Sequence, residues 1–186
     1  MRKVYTERSR SGFTLVEIMV VMAIVAIVGI ILVMIFANTL RGSSKAQILS
    51  VIKQNGQAVL GIMDNTIRNA DNVVCPSTSG DTLVVVKNGI YTRFRFINNS
   101  IEKDSPSDFT ASTCLITDPA VSLVILTDTD PKTGVSVQSG SFSRSRQAGS
   151  KDTITVSFDL NKGVQAPEVV GGQIDPVKFQ TTIQLR

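Results

Sequence analysis

Hydrophobic and polar positions divide the chain into three parts: a short basic leader, a long apolar run and a mixed remainder. The apolar run covers residues 13–37, where only Thr14 and Glu17 are markedly polar. As a helix rising about 1.5 Å per residue, it would extend about 37 Å, more than the roughly 30 Å hydrocarbon core of a bilayer. The pattern predicts a membrane-spanning helix. A cleaved secretory signal would have a shorter apolar region of about 7–15 residues, and a chain of this size has little with which to cover so uniform a core helix.

Helical periodicity continues beyond the apolar run, over residues 43–70. Apolar and small residues recur there at spacings of three and four, which places them in one stripe along a helix. The stripe consists of Leu49, Ile52, Gly56, Val59, Met63 and Ile67. We expect it to pack on the protein's own domain rather than on a partner. The helix is predicted to end near residues 70–72, because Val73 and Val74 favour a strand and Pro76 bars continuation of the helix.

The remaining sequence predicts antiparallel β-structure. Asn88 and Gly89 separate two β-rich runs, and this pair is a strong hairpin signal because a type I′ turn needs positive φ at both central positions. Residues 153–160 and 177–185 alternate apolar and polar side chains. Such alternation is typical of strands with one packed face and one wet face. We expect the helical stripe to cover the packed face.

Two further segments carry less regular patterns. Residues 121–127 are largely apolar and predict a strand that is buried on both faces. Residues 139–152 are rich in serine, glycine, arginine and glutamine. They predict a mobile loop, from which Arg144 and Arg146 could contact an anionic partner.

Together these elements predict an α+β fold in which a long N-terminal helix packs against an antiparallel β-sheet domain. The expected boundaries are a leader at residues 1–12, a helix at 13–70 with its membrane-spanning part at 13–37, and a β-rich domain at 71–186. The roughly 115 residues beyond the helix are enough for one such domain.

Basic charge is concentrated in the leader. The chain has a formal net charge of +4, from 19 lysines and arginines against 15 acids. Residues 1–12 hold four of the bases and one of the acids, so the remainder carries only +1. By the positive-inside rule, this distribution predicts a cytoplasmic leader and a C-terminal domain outside the membrane. It does not indicate a nucleic-acid partner, which would require a basic patch on the folded domain.

The two cysteines, Cys75 and Cys114, both lie beyond the apolar run. An even number of cysteines in an exported domain favours a disulfide, with two free buried thiols as the alternative. A bond closing a loop of about 39 residues would stabilise the domain by roughly 4 kcal/mol in the chain-entropy model.

The sequence offers no constellation for catalysis or metal binding. It contains no histidine, and two cysteines are too few ligands for a zinc site. Asp128, Asp130 and Gly134 resemble the start of a calcium loop but lack the later acidic ligands, so a plain turn with solvated acids is the preferred interpretation. We therefore expect no enzymatic activity, no cofactor and no specific small-molecule ligand.

Residues 12–17 read Gly-Phe-Thr-Leu-Val-Glu, directly after the basic leader and at the start of the apolar run. This motif, together with the distal β domain, resembles type IV prepilins and pseudopilins, and the distal pattern is more similar to a minor subunit than to a major one. The resemblance implies that a membrane prepilin peptidase cuts between Gly12 and Phe13 and N-methylates Phe13.

The resemblance also implies partners and a location. Before assembly, the subunit would lie in the lipid of the cytoplasmic membrane and contact an inner-membrane assembly platform. It would then leave the membrane and stack with other pilin or pseudopilin subunits in a cell-surface or periplasmic filament. Many pilins carry a proline midway along the apolar helix, whereas residues 13–41 contain none. Local melting of the helix within a filament is therefore not expected to carry over.

Glu17 lies one helical turn after the amine that cleavage would create at Phe13, and on the same helix face. The helix dipole favours a carboxylate there, but an unpaired charge within the apolar core costs a few kcal/mol. We hypothesise that Glu17 pairs with its own amine or with that of a neighbouring subunit, which would set the axial register. The alternative is that Glu17 reaches interfacial water and has no partner.

Two functions follow from the sequence. The first is a structural subunit of a type IV pilus or of a pilus-like filament for secretion or competence. The second is a single-pass, membrane-anchored binding module that never enters a filament.

Overall fold

A computed structural model describes residues 12–107, 110–115, 119–147, 149–165 and 174–186. The chain divides into two compact units, the first ending at Ser43 and the second comprising Ser44–Arg186. Its helix, α1, covers Leu15–Arg68, close to the predicted span of 13–70. The predicted α+β class, a long apolar N-terminal helix with antiparallel sheets, is confirmed.

The part of α1 within the first unit is apolar on every side. Its large hydrophobic side chains are all exposed, from Phe13 through Leu40. Among the described residues, α1 is the one helix long and apolar enough to cross a membrane. A helix that is hydrophobic all round requires either a protein core or lipid around it.

The part of α1 within the second unit buries one face. Its buried residues are Ile52, Gly56, Val59, Met63 and Ile67, and Leu49 is half-buried. The predicted stripe is therefore confirmed, including its packing on the protein's own domain. The helix ends slightly earlier than predicted, with Arg68 as its last residue.

Within the described part of the chain, nine strands form two antiparallel sheets. The strands are β1 (Asn72–Cys75), β2 (Ser79–Gly80), β3 (Thr82–Lys87), β4 (Ile90–Ile97), β5 (Ser100–Asp104), β6 (Val124–Ile125), β7 (Val135–Ser145), β8 (Thr153–Lys162) and β9 (Val177–Gln184). The first sheet has the order β1-β3-β4-β5-β6, and the second has the order β2-β7-β8-β9. A short 3₁₀ helix, Ala111–Cys114, lies in the connection from β5 to β6.

The predicted hairpin joins β3 and β4. Lys87 pairs with Ile90, and the intervening Asn88 and Gly89 have φ of 50° and 78°. Positive φ at both positions is the requirement that made this dipeptide a turn signal. The predicted alternation in β8 and β9 is also confirmed, since Ile154, Val156, Phe158, Leu160, Phe179, Ile183 and Leu185 are buried.

Both sheets and the helical stripe contribute to one hydrophobic core. Phe96 of the first sheet stacks on Phe142 of the second, with ring centroids 4.7 Å apart. Phe158 and Phe179 stack within the second sheet, at 5.4 Å. The ring of Phe179 lies directly against the backbone of Gly56, where a Cβ would collide with it. Gly56 therefore allows β9 to approach the helix closely.

The prediction that residues 121–127 form a buried strand is wrong. Only Val124 and Ile125 are in strand conformation, and the apolar side chains at 121 and 123–125 are exposed. Ser122 has a φ of 56°, which interrupts the extended backbone. The segment lies at the edge of the first sheet, so the apolar pattern does not report burial here.

The prediction of a mobile loop at residues 139–152 is also wrong for its first half. β7 continues through Ser145 and pairs with β8 up to Thr153. Small and polar residues occupy the exposed positions of this strand, while Phe142 is buried. Gly140 lies against the Phe96 ring, so its lack of a side chain serves packing between the sheets.

Candidate functional site

The start of α1 is capped by Thr14. The backbone N–H of Glu17 donates to the Thr14 hydroxyl oxygen at 3.3 Å, and the N–H of Ile18 donates to the Thr14 carbonyl at 3.3 Å. This arrangement makes Thr14 the N-cap and places Glu17 at the third helical position. Thr-x-x-Glu is the sequence of a capping box, so this N-cap carries a recognisable sequence signal.

Gly12 and Phe13 precede the cap on an exposed stretch of backbone. No other group lies within 4 Å of the position where a Gly12 side chain would begin. The Phe13 side chain is 78% exposed. The bond between them is therefore open to an approaching enzyme within the part of the chain described. The leader itself lies outside the described residues.

Glu17 is exposed on the first turn of α1. Among the described residues, no lysine or arginine forms an ion pair with its carboxylate. Its position near the helix N-terminus is favourable because the dipole places partial positive charge there. Its neighbours are apolar side chains, so leaving this carboxylate unpaired within the apolar core of a membrane would cost free energy.

Cys75 and Cys114 form a disulfide that joins β1 to the 3₁₀ helix. The bond attaches the long β5–β6 connection to the opposite edge of the first sheet. The sequence favoured a disulfide over two free buried thiols, and the structure contains that disulfide.

A buried ion pair holds the same connection. Arg93 of β4 and Asp104 of β5 are cross-strand partners, both almost completely buried. Arg93 Nε donates to Asp104 Oδ1 at 2.9 Å, and Nη2 donates to Oδ2 at 2.5 Å. The guanidinium also donates to the carbonyls of Thr113 and Pro119, and Asp104 Oδ2 accepts the N–H of Val121.

The Arg93–Asp104 pair was not predicted from the sequence, although the turn that aligns its two strands was recognisable there. Arg95 and Glu102 form a second cross-strand ion pair, at 3.0 Å. Two arginines and two acids therefore sit symmetrically about the tight turn at Asn98 and Asn99, both of which have positive φ. Recognising this turn as a two-residue hairpin would have predicted both pairs.

The loop with Asp128 and Asp130 folds as a compact turn. Asp128 Oδ1 accepts the N–H of Asp130, and Asp130 Oδ1 accepts the N–H groups of Lys132 and Thr133. These backbone hydrogen bonds, that from Thr133 foremost, lower the pKa of Asp130. Within the described residues, no group of three or more potential ligands could hold a metal ion.

Arg144 and Arg146 both face Asp152. Arg146 Nε lies 2.9 Å from Asp152 Oδ1, and Arg144 pairs with the other carboxylate oxygen. The hydrogen bond from Arg146, followed by that from Arg144, lowers the pKa of Asp152. Both arginines thus have an internal acidic partner, Asp152. Contact of these arginines with an external anionic partner stays a prediction.

Comparison with known proteins identifies the N-terminal segment. Residues 8–33 match the family described as the prokaryotic N-terminal methylation motif, which is the type IV prepilin-type signal. The match includes Gly12, Phe13 and Glu17. No curated protein matches the chain. No solved structure matches it either.

Proposed function

We propose that this chain, which carries the type IV prepilin-type signal, is a structural subunit of a pilus or pilus-like secretion or competence filament. The observation that carries the proposal is the coincidence of the methylation motif with the capped start of an exposed apolar helix. The motif supports a pilin-like or pseudopilin precursor. Assembly into a filament is the further step.

Processing would occur between Gly12 and Phe13 and would leave a methylated amine on Phe13. Thr14 would then be the second residue of the mature chain, and its cap would start α1 almost at the new terminus. Thr14 provides the hydroxyl that satisfies one backbone donor of the first turn, so the helix does not depend on the leader for its start.

Glu17 would provide the assembly contact. Its carboxylate has no cationic partner among the described residues, and it lies one turn from the proposed amine. In a stack of apolar helices, a neighbouring subunit's Phe13 amine would neutralise it, and the charge would be satisfied only at one axial step. This is how the helix would both anchor the subunit in the membrane and set its register in the filament.

The proposed arrangement has a cytoplasmic leader at 1–12, a membrane segment at 13–37 and an extracytoplasmic β domain at 71–186. The partners would be a prepilin peptidase, an inner-membrane assembly platform, membrane lipid and other pilin subunits. The finer assignment to a minor subunit rests on sequence resemblance alone. In this role the protein would be structural rather than enzymatic.

The test separates processing from assembly. Glu17→Gln and Glu17→Ala should be cleaved after Gly12 like the wild type but be recovered in sheared filaments at a small fraction of the wild-type amount. Glu17→Asp, which keeps the charge, is the matched control and should retain more incorporation than either neutral variant. Normal incorporation of processed Glu17→Ala would contradict the register mechanism. Absence of the wild-type chain from any filament would favour the anchored binding module.

A further inference from the structure

The chain contains two asparagine–glycine pairs, Asn55-Gly56 and Asn88-Gly89, in different surroundings. This dipeptide is especially prone to spontaneous deamidation, because glycine has no side chain to keep its backbone nitrogen away from the preceding carboxamide. The first pair lies inside α1, and the second forms the tip of the β3–β4 hairpin. The surroundings therefore decide which pair reacts in the folded protein.

Asn88 and Gly89 are open to this reaction. Both residues are exposed, and the β3–β4 ladder closes just outside them, at Lys87 and Ile90. Within the described part of the chain, the Asn88 contact is made by its backbone N–H, which donates to Asp71 Oδ2 at 2.7 Å, and not by its carboxamide. The Gly89 N–H donates to no backbone carbonyl there. No hydrogen bond thus keeps the two reacting groups apart.

The fold holds Asn55 and Gly56 in place. Asn55 Nδ2 donates to the Val51 carbonyl at 3.1 Å, and Asn55 Oδ1 accepts the N–H of Asp128 at 3.0 Å. Gly56 is buried in the interior of α1, where the N–H of a residue donates to the carbonyl four positions earlier. Attack at this pair requires both side-chain bonds to break and the helix to open.

The glycine, rather than the turn alone, distinguishes the tip of the β3–β4 hairpin. Asn98 and Asn99 form a second two-residue turn with positive φ, but the residue after Asn99 is Ser100. Ser100 is buried and its hydroxyl donates to the Ile97 carbonyl at 2.8 Å. Its backbone nitrogen is therefore less accessible to the Asn99 carboxamide than that of Gly89 is to Asn88.

We propose that Asn88 is a deamidation site of the folded protein, and that Asn55 is protected. Solvent base removes the proton of the Gly89 N–H, the nitrogen bonds to Asn88 Cγ, and ammonia leaves with a proton from water, which closes a five-membered imide. Water then opens the imide at one of its two carbonyls and leaves either aspartate or isoaspartate. The reaction consumes only water and needs no enzyme.

The product places a second carboxylate beside Asp71. Asp71 connects the hairpin tip to the start of β1, since its N–H donates to the Val86 carbonyl at 2.8 Å and its carboxylate accepts the Asn88 N–H. Isoaspartate also adds one carbon to the main chain of a turn that has only two residues. Aged protein should therefore carry one more negative charge at this tip. The proposal is independent of the filament role, because the reaction needs only the folded domain and water.

Peptide mapping by mass spectrometry tests the site in the full-length protein, folded in detergent and aged at mildly alkaline pH. The peptide that contains Asn88 should gain one mass unit, partly as isoaspartate, at least about ten-fold faster than the peptide that contains Asn55. The same protein in denaturing urea is the matched control, and both pairs should react there at similar rates. Equal rates in the folded protein, or an Asn88 that reacts only in urea, would overturn the proposal.

The Asn88→Asp variant gives a second measurement, because it carries the charge of the product without the reaction. On ion exchange, aged wild-type protein should develop an acidic species that elutes with fresh Asn88→Asp, whereas aged Asn88→Asp should show no such shift. Mass analysis should show the Cys75–Cys114 bond intact in both proteins. A shift of aged Asn88→Asp as large as that of the wild type would assign the reaction to another residue and overturn the proposal.

Discussion

Single residues set the packing of the helix against the sheet. Gly56 faces the Phe179 ring and leaves it room to reach the backbone of α1, whereas Gly61, in the same helix, has nothing within 4 Å of its Cβ position. The two glycines therefore have opposite roles, although the sequence alone shows both as weak points of a helix.

Gly56→Ala should destabilise the domain by about 1–3 kcal/mol, because the added methyl group forces the Phe179 ring or the helix to move. Gly61→Ala is the matched control and should be neutral or more stable by up to about 1 kcal/mol, because alanine has the higher helix propensity. Urea unfolding of residues 44–186, which contain the whole described core, measures both. Equal effects of the two variants would contradict the close contact.

Ionisation of Asp152 should make the free energy of unfolding depend on pH in the acidic range. Its hydrogen bonds from Arg146 and Arg144 lower its pKa from the ordinary 3.8. The stabilisation from this depressed pKa is fully present above 3.8 and is lost as the pH falls through the lower, folded-state value. The free energy of unfolding, followed from pH 7 to pH 2.5, should fall less steeply below pH 4 for Asp152→Asn than for the wild type. Parallel pH profiles would show that the pair contributes nothing.

At the scale of elements, the β5–β6 connection depends on two kinds of anchor. The disulfide holds Cys114, and Arg93 holds the carbonyls of Thr113 and Pro119. Removing one partner of such a buried, bidentate ion pair strongly destabilises a protein, because the other charge is left buried and unpaired. The two anchors act on neighbouring parts of the connection, so we expect either one alone to retain some of its structure.

The Cys75→Ser/Cys114→Ser double variant should lose about 4 kcal/mol of stability, the chain-entropy value for a closed loop of this length. It should nevertheless fold under native conditions, because the ion pair remains. Denaturant unfolding gives the stability, and the dispersion of amide NMR signals from residues 93 and 104 reports the fold. A loss of less than about 1 kcal/mol would show that the bond adds little constraint.

Periodic segments could be predicted from the sequence, and irregular ones could not. The stripe from Ile52 to Ile67 and the alternation in β8 and β9 each follow from one repeating geometry, so spacing alone identified them. The prediction of a buried strand at residues 121–127 failed because apolar composition does not distinguish a core strand from an uncovered edge. β7 was not predicted because its serines and Gly140 are typical of loops. In the structure, Gly140 instead allows the strand to pack closely against Phe96.

The candidate site was predictable to a similar extent. Gly12, Phe13 and Glu17 follow from a local motif, and the methylation signal at residues 8–33 supports it. The Arg93–Asp104 pair depends on the register of β4 and β5, which becomes apparent only once the turn at Asn98 and Asn99 is identified as a hairpin. Tertiary pairing, rather than composition, determined what was missed.

At the scale of the whole molecule, the chain combines a uniformly apolar helical segment with a domain that has its own core. The first has every large side chain exposed, and the second encloses its core between two sheets and a helical stripe. The first therefore needs lipid or other helices around it, whereas the second is complete without them. This division of roles suits the proposed subunit, which would be stored in a membrane and then stacked by its helix.

Intact-mass and N-terminal analysis of the native protein tests the central claim most directly. Protein isolated from cells with an active prepilin peptidase should lack residues 1–12 and carry one added methyl group on the Phe13 amine. A Gly12→Val variant, expected to block cleavage by crowding the exposed backbone, should keep the leader and provides the control. A wild-type chain that keeps Met1, or that is cut elsewhere without methylation, would contradict the account.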